Sequence, residues 1–132
     1  MPVTVGLKSR AETLVNGSNT ANSVGSGLVP VFATPCMIAL MENASVRAIQ
    51  PRLEEGETTV GTRMDISHDA PTPVGMKVFA EAEITAVSEN GKMVEFRVSA
   101  WDEKGPVGAG THTRAIIWNE RFLSKCSAKL DN

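Results

Sequence analysis

The sequence has 132 residues, 42% hydrophobic and 21% charged, the size and make-up of one globular domain whose core needs no disulfide or metal staples. Thirteen Lys and Arg against fifteen Asp and Glu leave a formal net charge of −2 with the signs interspersed, so nucleic acid and anionic membranes are poor partners. Cys36 and Cys126 belong to no disulfide framework or zinc-spaced cluster, no leader pattern opens the chain and no run is long and apolar enough to span a bilayer, which predicts a cytoplasmic location.

Residues 3–15, VTVGLKSRAETLV, carry β-branched residues in partial alternation and predict a strand. Residues 16–27, NGSNTANSVGSG, are nearly all turn formers with little to bury, and predict a mobile surface loop. Loops of that length without structure of their own are uncommon and often functional, for instance as lids. The stretch 31–49, VFATPCMIALMENASVRAI, predicts a helix with Thr34 as N-cap and Pro35 at the first helical position, where its missing N–H has no intrahelical partner to lose. Met37, Ile38, Ala39, Leu40, Met41, Ala44, Val46, Ala48 and Ile49 leave few polar sectors, so this helix is expected at the centre of the molecule. Pro51 stops it, and PRLEEGE at 51–57 reads as an acidic turn.

From Thr58 the pattern becomes alternating. Residues 59–68 place Val60, Thr62, Met64, Ile66 and His68 on one face, with Gly61, Arg63, Asp65 and Ser67 on the other. After the turn DAPTPVG, residues 76–88 alternate through Val78, Ala80, Ala82, Ile84 and Ala86. Asn90-Gly91 signals a hairpin into residues 92–102, and a last strand covers 107–118 before a polar tail at 119–132. The sum is strand, loop, buried helix and an antiparallel meander of four strands: an α+β domain spanning 1–132, with about five strands against one long helix. One helix covers one sheet face only, and its own circumference is largely apolar. A second subunit is therefore expected to complete the burial.

Three polar residues are poorly explained by packing alone. Thr34 suffices as a helix cap, but its hydroxyl beside free backbone N–H groups could also face a ligand carbonyl. Glu42 sits in MIALMENA among apolar neighbours, and no Lys or Arg three or four residues away can pair with it. A buried carboxylate demands a hydrogen-bonded partner or shifts its pKa, which is how such a group becomes a base or nucleophile. His68 ends the inner face of its strand, where it serves either as a satisfied structural histidine or as an acid–base group. Cys36, in the first helical turn but with no base near it, reads as structural. Thr34 and Glu42 are eight residues apart, about 12 Å along a helix, so they cannot touch. Either a substrate spans them or two subunits combine at one site.

The segments VFATPCMIALMENASVRAI, GTRMDISHDAPTPVGM and GAGTHTRAII closely resemble the fluoroacetyl-CoA thioesterase family of hot-dog-fold proteins, across Val31 to Ile117. The resemblance implies a curved antiparallel sheet wrapped around a long central helix, and active sites at the interface of a homodimer or a higher oligomer. It implies an acyl-CoA thioesterase that needs no metal or other cofactor, coenzyme A being part of the substrate. The family's catalytic threonine, glutamate and histidine fall on Thr34, Glu42 and His68, its thioester-contacting glycine on Gly61, and the acyl-pocket arginine of the THxR motif on Arg114. An aromatic lid in the fluoroacetyl enzyme falls on Leu28, and Pro35, Cys36 and Asn43 also depart from the family pattern, which implies a different or looser acyl preference. Alternatives are a hot-dog hydratase or dehydratase, or a non-catalytic acyl-CoA-binding protein.

Overall fold

The computed structural model describes residues 2–131. In chain order the elements are β1 (Lys8–Leu14), α1 (Ala21–Val24), α2 (Thr34–Ile49), β2 (Glu57–His68), β3 (Lys77–Val87), β4 (Met93–Asp102), β5 (Gly105–Trp118) and α3 (Asn119–Ser127). All five strands pair antiparallel in one sheet ordered β1-β3-β4-β5-β2. The fold is the expected α+β hot-dog, with the sheet wrapped around α2.

Alternation on β3 and β4 builds the core. Val78, Ala80, Ala82 and Ile84 of β3, with Val94, Phe96 and Val98 of β4, meet Met37, Met41, Ala44 and Ile49 of α2. Each fully buried Val, Ile, Phe or Met contributes about 1.5–3 kcal/mol, and the alanines of β3 let the helix approach the sheet closely. Buried Ser45 interrupts the apolar stripe without leaving an unpaired hydroxyl, because it donates to the Met41 carbonyl one turn back. The outer face of the sheet carries ion pairs, Arg10 with Glu81 and Arg97 with Glu83, beside a Phe79–Trp101 stack. It is therefore not the apolar surface that was expected to require a partner.

Several sequence expectations change. The four later strands do not form a meander: β3, β4 and β5 do, whereas β2 lies beyond β5 and forms an edge. Pro71 and Pro73 in the connection after His68 offer no ladder N–H, so a tight β2–β3 hairpin gives way to a crossing held by Phe32 N–H donating to the Thr72 carbonyl and Thr72 Oγ1 to Asp102. Segment 16–27 is not structureless. It holds the single turn of α1, with Ser23 Oγ accepting from Thr20 N–H, and Ala21 and Asn22 N–H donate to Val31 and Val29 carbonyls. The polar tail continues as α3.

Phase shifts occur at two bulges. One extra residue, Thr62, sits between Gly61 and Arg63 in the β2–β5 ladder, so Thr59 and Gly61 share the inner face with Met64, Ile66 and His68. A second irregularity between Ile84 and Ala86 turns Val87, rather than Ala86, onto the core.

Candidate active site

The start of α2 and the end of β2 meet. The helix cap is Ala33, not Thr34, and no side chain caps the helix, which leaves the Thr34 hydroxyl free for another partner. That partner is His68: Thr34 Oγ1 lies 2.7 Å from His68 Nδ1. His68 Nε2 is buried and meets no hydrogen-bond partner among the described residues. The pair borders a cleft of about 330 Å³ whose other wall comes from the segment around α1, including Gly27 and Val29. Leu28 does not line it and is 95% exposed.

Two turns along α2 is a second cluster. Glu42 is half-buried rather than deep in the core, and its missing cation comes from β5: Arg114 Nη1 donates to Glu42 Oε2 at 3.0 Å. Arg114 itself is buried, with Nε donating to Thr59 Oγ1 at 2.8 Å and Nη2 to the Thr59 carbonyl at 3.1 Å. Gly61 faces the same carboxylate, and a Cβ built there would stand 2.5 Å from Glu42 Oε2. Only a residue without a side chain lets the Glu42 carboxylate lie against the β2 backbone.

His112 belongs to this cluster and was not singled out from the sequence. It is buried beside Phe96, with Nδ1 2.7 Å from the Arg63 carbonyl and Nε2 3.1 Å from Arg114 Nη1. Burial, above all, holds its pKa below the ordinary histidine value, and the adjacent Arg114 charge acts the same way, against the Arg63 hydrogen bond and Glu42. A neutral ring makes no ion pair with Glu42, 3.9 Å away. The signal that could have found it is period two: His112 and Arg114 in THTR must share a face of β5.

The structure thus gathers the singled-out residues into two groups, Thr34 with His68 and Glu42 with Gly61 and Arg114. Glu42 and Gly61 of the second group border a cleft of about 250 Å³, lined also by Thr62, Arg63, Met64 and His112, with Arg114 buried behind it. A groove of about 470 Å³ under α3, between Trp118, Phe122 and the Asn90–Lys92 hairpin, touches none of these residues.

The model of the fluoroacetyl-CoA-specific thioesterase family matches residues 15–120, a span that contains both clusters. The fluoroacetyl-CoA thioesterase of Streptantibioticus cattleyicolor is 46% identical over 99 residues, covering 75% of this chain and 70% of that protein. The chain belongs to the fluoroacetyl-CoA-specific thioesterase family. A solved structure of the fluoroacetyl-CoA thioesterase FlK superposes with a TM-score of 0.91 at 36% identity over 98% of both chains. A thioesterase superfamily member from Thermus thermophilus superposes with a TM-score of 0.89 at 30% identity, over 98% of this chain and 95% of that one. As a fluoroacetyl-CoA-specific thioesterase family member, the protein is a thioester hydrolase, which sets aside the hydratase and binding-protein alternatives.

Proposed function

We propose that the protein is a homodimeric acyl-CoA thioesterase that hydrolyses a small acyl thioester, with Thr34 and His68 of one protomer facing Glu42, Gly61 and Arg114 of the other. The observation that carries this reading is the 2.7 Å contact between Thr34 Oγ1 and His68 Nδ1, which joins two residues far apart in sequence at a helix N-terminus. Glu42 lies about 12 Å farther along the same helix, so one protomer cannot direct both groups at one carbonyl carbon. β2 supplies the means of pairing. It is a twelve-residue edge strand carrying His68 and Gly61, and an unpaired edge of that length is a ready surface for a second copy.

In this reading Glu42 attacks the thioester carbonyl or activates the water that does. The negative charge that develops on the carbonyl oxygen is met by backbone N–H groups at the start of α2 or beside Gly61. The C–S bond breaks, coenzyme A leaves as the thiol with a proton delivered through His68 and Thr34, and water completes the free acid. Coenzyme A is part of the substrate, and no metal or other cofactor takes part.

The acyl group is small but not restricted to fluoroacetyl. Solved structures of FlK variants hold acetyl-CoA in one case and fluoroacetate with CoA in another. The resemblance puts Leu28 where the fluoroacetyl enzyme has its aromatic lid, and Leu28 is exposed in the single chain. Free Cys36 and Cys126 support a cytoplasmic location, and no helix among the described residues is long and apolar enough to cross a membrane.

The test is CoA release from a panel of short acyl-CoA thioesters by wild type, Glu42→Gln and His68→Ala. Each substitution is expected to lower kcat/KM by about 10²–10⁴. Turnover that survives both would remove these residues from the chemistry.

A further inference from the structure

His112 has one polar partner on each ring nitrogen, and the two partners leave it one tautomer. The Arg63 carbonyl near Nδ1 can only accept and the guanidinium near Nε2 can only donate, so the proton is on Nδ1 and Nε2 is bare. The Thr62 bulge contributes to this by locally shifting β2 where it offers that carbonyl. Arg114 Nη1 carries two protons. One points at His112 Nε2 and the other at Glu42 Oε2, while Nε and Nη2 are occupied by Thr59.

We infer that His112 is a positioning residue for the hydrolysis: its bare Nε2 takes one Nη1 proton of Arg114 and so directs the other at Glu42, setting the carboxylate against Gly61. Protonation of Nε2 would place a second N–H against the guanidinium and release Arg114 from that orientation. The imidazole must therefore stay neutral for the carboxylate to keep its place. A histidine that merely filled space beside Phe96 under β5 would need neither contact. The inference rests on Glu42 being the reacting carboxylate.

Nitrogen-15 spectra of the wild-type imidazole test the geometry without any substitution: Nδ1 protonated and Nε2 bare is expected, and the opposite tautomer overturns the inference. Two variants test the consequence. His112→Gln can still present a carbonyl oxygen to Arg114, whereas His112→Asn can keep a donor toward Arg63 but cannot reach Arg114. We expect kcat to fall about 10²-fold in H112N and less than about tenfold in H112Q, with KM near wild type in both. Equal kcat in the two folded variants overturns the positioning role. E42Q assayed alongside separates the failures: full activity of E42Q removes the carboxylate reading, whereas an inactive E42Q beside a fully active H112N removes the role of His112 alone. If neither variant folds, the wild-type tautomer decides.

Discussion

Glu42 looked anomalous because no cation lies within reach on its own helix, yet its partner, Arg114, is 72 residues away on β5. Pairing across elements cannot be read from helical spacing. Gly61 shows the same limit from the other side: period two assigned it to the outer face, and only the bulge brings it to the carboxylate. Its closest neighbour is the end of a flexible side chain, so Gly61→Ala can fold by displacing Glu42. We expect G61A to fold with a modestly lowered melting temperature, since buried Arg114 loses its carboxylate and His112 Cε1 would stand 3.2 Å from the added Cβ. Its kcat is expected to drop about 10²-fold, the cost of misplacing the proposed reacting group by about an ångström. A melting scan and steady-state kinetics on the same sample check this; unchanged kcat would show that the carboxylate does not need the approach Gly61 permits.

At the scale of elements, the order of the five strands and the long helix along the chain was readable, whereas α1, α3 and the neighbours of each strand were not. Apolar alternation located β3 and β4, and Asn90-Gly91 marked the turn between them, because these signals are local. The position of β2 beyond β5 depends on a crossing whose anchors, Thr72 with Asp102 and Phe32 with the Thr72 carbonyl, join distant segments. The fit of β5 against β2 is equally tertiary. A Cβ at Gly110 would collide with the Asp65 carbonyl oxygen and approach Ile66 Cα to 2.7 Å, both backbone atoms with nowhere to move. Gly110→Ala is expected to cost about 1–3 kcal/mol, read as a lower urea midpoint at unchanged slope. A wild-type midpoint would mean that the two strands are more loosely joined than the structure has them.

For the whole molecule, the separation of the two clusters makes a prediction that no single residue makes. If each site takes Thr34 and His68 from one protomer and Glu42 from the other, E42Q and H68A homodimers are both inactive, but a hybrid of the two contains one intact site. Mixing the variants under conditions that exchange subunits is expected to restore CoA release. No recovery from a mixture shown to contain hybrids would place all three residues of each site in one chain. The candidate residues Thr34, Glu42 and His68, the long helix and the α+β class were legible in the sequence, because composition, periodicity and motif spacing are properties of neighbouring residues. What the tertiary structure decided was which of those residues meet. Thr34 bonds His68 instead of capping its helix, Arg114 answers Glu42, and His112 holds Arg114, since each of these contacts joins elements whose approach is set by strand order, bulges and packing rather than by spacing along the chain.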